Sequence, residues 1–345
     1  MIKKINVSDF VFNELLKNKQ IKLNLISNFS ESDFNLKPNT VLLLTNLQTD
    51  KKEYFKFKFF DKASKTVFLE KYKLKINDFD NFVFDMDGTL LKPNKEFNMS
   101  AIEPMKKLIK KGKRVIINTG RNLWMLAPYI SFLPYNEGLI CANGGMIHDY
   151  ESNQIIHMQE IETDIVWKIM QKLKELDFAY FLHHDKGFAA NNTDKTEYFK
   201  KANLASFMGQ SLQMNITYNQ LKELKVAKIL ASFKANEIEK LNEIKDFLKQ
   251  FEELEVEQTQ RTMLDIGFKG VTKGSSYVWY ANKFNLDLAK TMAFGDAVND
   301  IKLFDLVGFS ATPNDAMQRA KDESSFTSNL TSSEDWILDF FNRYN

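Results

Sequence analysis

Apolar and polar positions change rhythm several times along this chain. In EYFKFKFF they alternate, with Phe55, Phe57 and Phe59 on one side and Lys56 and Lys58 on the other. A period of two marks a half-buried strand. TVFLEKYKLKI alternates as well, gathering Lys71, Lys73 and Lys75 on one side, and the intervening DKASK reads as a turn. The two runs predict a hairpin with an aromatic face and a lysine face. VSDFVFNELLKN predicts a short helix capped by Ser8, and VLLLTNLQ a strand. Residues 1–76 therefore read as a small α+β domain.

From Asp80 short apolar runs and helical patterns take turns. NFVFDM, RVIINTG and GLICANGG read as buried strands, with helices expected over SAIEPMKKLIKKG and RNLWMLAPYISFL. MIHDYESNQIIHM reads as a hairpin. Such alternation predicts a doubly wound parallel, Rossmann-like α/β sheet. Over 161–261 the texture is α+β: a helix at TDIVWKIMQKLKEL, strands at FAYFLHHDKGFAAN and KVAKILASF, and a helix at NEIEKLNEIKDFLKQF behind an Asn236 cap. The parallel-sheet texture then resumes with MLDIGF, helix SSYVWYANKF, strand TMAFGD and helix NDIKLFDLV. The predicted organisation is a small domain at 1–76, a sheet body split over 77–160 and 262–345, and an insertion at 161–261.

Composition narrows the class. With 345 residues, 44% of them apolar, the chain can bury several cores. Its formal charge of +2 gives no global attraction to nucleic acid or membrane. The charge is uneven: residues 1–76 hold 15 Lys against 8 acids, a net +7, which leaves −5 for the rest. The single cysteine, Cys141, excludes an internal disulfide and a cysteine-rich metal site. Together with the lack of a long apolar run, it predicts a cytoplasmic protein with no membrane partner.

The chemistry gathers at strand ends. In a parallel sheet, ligands bind beyond the carboxyl ends of the strands. Asp85 and Asp87 end the first strand, Thr119 the second, Cys141 and Asn143 the third, and Asp296 the strand TMAFGD, with Asp300 close behind. Close carboxylates repel unless a cation or a shared proton intervenes. An all-oxygen set suits Mg²⁺ bound together with phosphate oxygens. Lys273 supplies a positive charge for a phosphate, Thr119 a hydroxyl, and Gly120 and Gly274 room for close backbone approach. A carboxylate can attack phosphorus and then be freed by water. Asp85 suits that role, and Asp87 suits general acid and base.

Four segments, DMDGTL (85–90), INTGR (117–121), VTKG (271–274) and GDAVND (295–300), together resemble the four motifs of the haloacid dehalogenase-like (HAD) phosphohydrolases. The resemblance implies Asp85 as nucleophile and Asp87 as acid and base. It implies Thr119 and Lys273 as phosphate holders, and a Mg²⁺ site drawn from Asp85, Asp87 through its backbone carbonyl, and Asp296, with Asp300 in support. The long insert between Thr119 and Lys273, with the NGG of CANGGMIHDY, resembles the Cof-type group, whose C2 cap selects substrates. It implies a phosphatase of small phosphorylated metabolites such as sugar phosphates. Further substrate contacts are expected from Gly120, Arg121, Asn143 and Asn299. Arg121 is read equally as a phosphate contact or a helix start, and Asn143 as a rim contact or a turn cap.

Other features have plainer readings. His183 and His184 are adjacent in a strand and point to opposite faces, so His183-His184-Asp185 reads as a strand-end polar cluster rather than a metal site. Trp167, Trp279 and Trp336 read as packing, and Cys141 as a small buried residue. The lysine face of residues 1–76 reads first as a solvated surface; nucleic acid or an acidic partner bound there is the second reading. A regulatory protein built on that segment, and a sugar-phosphate phosphotransferase or mutase, are the alternative functions.

Overall fold

The computed structural model describes residues 2–7, 20–24, 41–46, 52–61, 63, 66–191, 212–260 and 262–344. The N-terminal sheet holds β1 (Ile2–Val7), β2 (Gln20–Asn24), β3 (Val41–Asn46), β4 (Lys52–Asp61) and β5 (Thr66–Lys71), in the order β1-β3-β4-β5-β2. The helix expected after Val7 lies outside the described residues. The β4–β5 hairpin forms, but its aromatic face is broken. Phe55 and Phe57 are buried, whereas Phe59 is 52% exposed and stacks on Phe68. The cause is a bulge: Phe57 pairs with Leu69 and Phe59 with Phe68, so Lys58 is an extra residue that inverts the alternation. The lysine face is partly neutralised, because Lys58 pairs with Glu70 and Lys56 lies over the Tyr72 ring. Lys73 and Lys75 fall beyond the end of β5. Tyr54 ties this sheet to the next body, its hydroxyl donating to the Ser325 carbonyl at 2.9 Å while its ring meets Phe309.

The central sheet has the order β10-β9-β8-β7-β6-β17-β18-β19. Its parallel part comprises β6 (Asn81–Phe84), β7 (Arg114–Asn118), β8 (Leu139–Cys141), β17 (Thr291–Phe294), β18 (Phe309–Thr312) and β19 (Phe326–Thr327). The expected hairpin β9 (Met146–His148) and β10 (Ile155–Met158) extends one edge antiparallel. Both faces of β6 are covered: Phe82 and Phe84 join one core, with Phe294, Trp336 and Phe341, and Val83 joins the other, with Tyr277 and Leu303. A strand buried on both sides needs a continuous apolar run. The helix expected at RNLWMLAPYISFL is cut to a 3₁₀ turn, Leu123–Leu126, and one α-turn, Ala127–Ile130. Asn122 starts the turn by accepting from the Trp124 amide at 3.1 Å.

The insertion forms a sheet ordered β13-β12-β11-β14-β16-β15, from β11 (Ala179–His184), β12 (Gly187–Ala190), β13 (Leu212–Met214), β14 (Val226–Ser232), β15 (Leu254–Gln260) and β16 (Met263–Phe268). MLDIGF, read from sequence as part of the parallel sheet, is β16 here. It pairs antiparallel with β14 and β15, so the inserted sheet runs past residue 261. Helices Thr163–Glu175 and Ile238–Leu248 cover one face, packing Ile169, Leu173, Leu241 and Ile244 against Tyr180, Ile229 and Leu264. The second helix starts at Glu237 rather than at an Asn236 cap, and the Glu237 carboxylate accepts from the Lys234 amide at 2.6 Å. The other face, with Phe181, Phe188, Leu230 and Met263, meets Trp124 and Met125 from the segment after β7. The insertion therefore covers the carboxyl edge of the central sheet as a cap.

Candidate active site

Register sets the first contacts. Phe84 lies beside Phe294 in the β6–β17 pair, and the Asp85 amide donates to the Phe294 carbonyl at 2.9 Å. The two chains then leave the sheet together. Gly88 turns at φ +72°, and a Cβ there would lie 2.2 Å from Asp296 Oδ2. Only glycine fits both the conformation and the space. Gly274 answers a different need from the one expected: its close neighbour is the Lys302 carbonyl, 2.4 Å from a would-be Cβ, so it packs two helices together.

Lys273 is the hub. It opens helix Lys273–Lys283 behind a Thr272 cap, and its carbonyl accepts from Asn118 Nδ2 at 2.9 Å. Its ammonium, 1% exposed, donates to Asp85 Oδ1 and to Asp300 Oδ1, each at 2.7 Å. Asp300 also caps helix Val298–Phe304, its Oδ2 accepting the Asp296 and Ala297 amides at 3.0 Å. Asp300 is thereby fully employed, held by one cation and two amides.

Negative charge is in excess. Asp85, Asp296 and Asp300 bring carboxylate oxygens within 4.8 Å of one another around a single lysine. Burial pushes Asp85 up to about 7, with Lys273 opposing and Asp300 adding. Burial, then Asp85 and Asp300, push Asp296 up to about 9. Lys273 is held above its ordinary value by Asp300 and Asp85 in spite of its burial. Asp296 Oδ1 is buried and has no hydrogen-bond partner among the described residues. An oxygen-only cluster with excess charge and one unsatisfied oxygen fits a hard divalent cation such as Mg²⁺.

The Asp87 carboxylate stands outside that cluster, consistent with a residue expected to meet the metal only through its backbone carbonyl. Arg121 takes it in two bonds, Nε to Oδ2 at 2.6 Å and Nη2 to Oδ1 at 2.8 Å, and Lys95 Nζ adds a third at 2.8 Å. Against the effect of burial, Arg121 and then Lys95 hold this carboxyl well below the usual carboxylate range. Arg121 does not start a helix; Asp87 takes its Nε and Nη2, while its buried Nη1 has no hydrogen-bond partner among the described residues. Its guanidinium also lies over the Tyr129 ring, 5.6 Å from the centroid.

Thr119 is buried at the end of β7, and its Oγ1 accepts the Arg121 amide at 3.2 Å. Gly120 faces Asn143 Oδ1, 2.9 Å from a would-be Cβ. Asn143 accepts from Asn299 Nδ2 at 3.0 Å and reaches toward the cap, its Nδ2 lying 3.5 Å from Asp265 Oδ2. Asp265 in turn pairs with the buried Lys228. A cavity of about 430 Å³ is lined by Asp85, Asp87, Lys95, Gly120, Asp296 and Asn299. Among the described residues His183 and His184 join no metal cluster; His184 Nδ1 accepts the Lys186 amide at 3.1 Å, and Asp185 accepts the Lys225 amide. Burial pushes the Cys141 thiol well up, which leaves it inert.

Sequence reasoning missed Lys95, Asn118, Lys228 and Asp265. A signal existed for Lys228, a single charge in the apolar run VAKILAS that needs a buried partner. Lys95 gave none, because a lysine in a KPNK turn looks like any solvated one.

Known proteins identify the family. The family model described as haloacid dehalogenase-like hydrolase matches residues 82–341. A Mycoplasma genitalium protein, called a phosphatase with no substrate named, is 27% identical over 277 residues, 76% of this chain and 98% of its own. The Escherichia coli pyridoxal phosphate phosphatase is 24% identical over 248 residues, 69% of this chain and 88% of its own. A haloacid dehalogenase-like hydrolase from Bacteroides thetaiotaomicron superposes with a TM-score of 0.68 at 20% identity, over 77% of this chain and 99% of its own. With the order of its strands, its inserted cap and a family match over most of its length, the chain belongs to the haloacid dehalogenase-like hydrolases and is a phosphatase of their Cof-type group.

Proposed function

We propose that this phosphatase is Mg²⁺-dependent and cleaves small phosphate monoesters through a phosphorylated Asp85. The observation that carries the reading is the buried contact of Asp85 with Lys273 beside Asp296 and Asp300, at the edge of an open cavity. Mg²⁺, held by Asp85 and Asp296 with Asp300 in support, would supply positive charge for the phosphoryl oxygens.

The residues divide the work. An Asp85 oxygen attacks phosphorus, and the ester P–O bond breaks toward the leaving oxygen. That oxygen takes a proton from Asp87. Water then attacks the phosphorus on Asp85, Asp87 takes the water's proton, and the bond to Asp85 breaks to release inorganic phosphate. Lys273 and Thr119 hold the phosphoryl oxygens. Asp87 can carry a proton near neutrality only when Arg121 and Lys95 slacken their hold, so substrate entry must rearrange that clamp.

Relatives include proteins named for pyridoxal phosphate and for HMP-PP, which supports a small phosphorylated metabolite as substrate. The test is phosphate release from a panel of monoesters with Mg²⁺ and with excess chelator. Release that persists under chelation, or full turnover by Asp85→Asn, rejects the reading. Recovery of an isomeric sugar phosphate in place of free phosphate would mark a mutase.

A further inference from the structure

A cavity of about 770 Å³ shares no lining residue with the 430 Å³ cavity that holds the catalytic carboxylates. One wall is the segment after β7, with Trp124 and Ile130. The second is the β9–β10 hairpin, with His148 and Ile155; β10 is the last strand of its sheet, so this wall is an open edge. The third holds Glu160, Asp185 and Lys225. That third wall is the hinge of the cap. Gln159 still belongs to the central body, its amide donating to the Gly145 carbonyl at 2.9 Å. Ile161 already belongs to the cap, donating to the Val226 carbonyl of β14 at 2.8 Å. Glu160 stands between them. Asp185 and Lys225 come from the cap, tied by the Asp185 amide to the Lys225 carbonyl at 3.0 Å and by the Lys225 amide to Asp185 Oδ1 at 2.9 Å.

Two ring nitrogens of this lining are buried and have no hydrogen-bond partner among the described residues. They are His148 Nδ1, in a residue only 9% exposed, and Trp124 Nε1. A buried indole N–H ordinarily finds an acceptor, and leaving polar groups unmet is costly. Two such atoms on the wall of one cavity point to an occupant that completes them. The size is that of a small-molecule site, with apolar walls and a few polar groups.

The walls state its chemistry. Trp124 Nε1 can only donate, so the occupant brings an acceptor, whereas a histidine nitrogen serves either way. Ile130, Ile155 and the Tyr135 ring offer surface to a flat apolar body. The carboxylates of Glu160 and Asp185 call for a donor, and two of them against the single ammonium of Lys225 disfavour an anion. We propose that this cavity binds an uncharged heteroaromatic compound with ring-nitrogen acceptors and an amino group, the chemistry of an adenine nucleoside, and that the occupant restrains the cap. Trp124 carries the restraint, because it also packs on the cap sheet beside Phe181 and Phe188. An occupant touching Trp124, Glu160 and Asp185 together spans the hinge, where small changes set the position of a whole domain.

The test is calorimetric titration of the full chain with three probes: adenosine, indole, which is flat but brings no acceptor, and urate, an anionic purine. Adenosine is expected to bind with a Kd below about 1 mM, and indole and urate at least about tenfold more weakly. His148→Phe keeps a ring and deletes Nδ1, and should weaken adenosine about tenfold. Ile130→Trp fills the cavity from a position 36% exposed, without touching a buried polar group, and should abolish binding. Hydrogen exchange of peptides containing Ile161 and Asp185, whose amides close the hinge, should slow at least about threefold with adenosine bound. No binding at about 5 mM adenosine, equal affinity in wild type and both variants, or tighter binding of indole or urate overturns the site. Adenosine binding that leaves both peptides unchanged overturns the restraint of the cap. Neither readout needs turnover, so the phosphatase reading stands or falls separately.

Discussion

Arg121 grips Asp87 through two parallel bonds, Nε to Oδ2 at 2.6 Å and Nη2 to Oδ1 at 2.8 Å, although 34 residues separate them. The fork of the guanidinium matches the carboxylate, which a lysine could not do. The pair joins the end of β7 to the end of β6 beneath the cap. It also keeps the expected proton carrier ionised until something displaces the arginine.

Arg121→Met tests the grip. Methionine can fill the space over Tyr129, but Asp87 then keeps only Lys95. Because Asp87 is partly solvated, a loss of about 1–2 kcal/mol at pH 7 is expected, with screening included. Its folded-state pKa is depressed, so its contribution is present above the unfolded value near about pH 4 and fades as pH falls through the folded value. Urea titrations of wild type and variant should therefore differ at pH 7 and converge at strongly acid pH. A gap of the same size at both would place the effect in packing alone.

Asp85 and Asp296 have the opposite sign. Their folded-state values are raised, to about 7 and about 9, by burial and then by neighbouring carboxylates, Asp300 beside Asp85, and Asp85 and Asp300 beside Asp296. Without a cation, their protonated forms are favoured by folding. That stability is complete below the unfolded value near about pH 4 and is lost as pH rises through the folded values. The metal-free protein should melt at a lower temperature at pH 9 than at pH 5, and Mg²⁺ should raise the melting temperature more at pH 9 than at pH 5. Asp296→Asn should flatten both trends. An equal Mg²⁺ shift at the two pH values, measured by scanning calorimetry, would exclude these carboxylates as the binding site.

The parallel sheet and the polar strand ends along its carboxyl edge were legible in the sequence because both rest on local pattern. β6, β7, β8 and β17 are continuous apolar runs, and each hands its next polar residues to the same side. What escaped depends on pairing across distance. MLDIGF is apolar whichever sheet receives it, and only its partners β14 and β15 assign it to the cap. The bulge at Lys58 reverses Phe59 without changing the letters of the alternation. The Arg121–Asp87 and Asn143–Asp265 contacts join segments with no common periodicity, so neither residue announces its partner. The segment after Arg121 has a helical pattern, but the cap packs on Trp124 and Met125 and the chain shortens to turns.

Gly88→Ala should damage the site through geometry alone. A Cβ there would overlap Asp296 Oδ2 at 2.2 Å, and a left-handed φ adds about 1–2 kcal/mol for a residue with a side chain. Asp296 would have to move away from Asp85. The expected outcome is a higher Mg²⁺ concentration for half-maximal phosphate release, together with a lower melting temperature. An unchanged Mg²⁺ requirement would show that Asp296 does not need its present position.

Trp336 was read from sequence as packing, and it is wholly buried among Phe294, Phe340 and their neighbours. It does more than fill space. Its Nε1 donates to the Thr89 carbonyl at 3.1 Å, which pins the turn after Asp87 to the C-terminal helix Trp336–Tyr344. Two substitutions separate the roles. Trp336→Ala removes both packing and bond and should cost about 3–5 kcal/mol. Trp336→Phe keeps most of the apolar volume but leaves the Thr89 carbonyl without its donor, at about 1–3 kcal/mol. If the bond positions the catalytic turn, Trp336→Phe should also lower kcat at saturating Mg²⁺, in protein that is still fully folded at the assay temperature. A phenylalanine variant that loses stability while keeping kcat would confine Trp336 to the core.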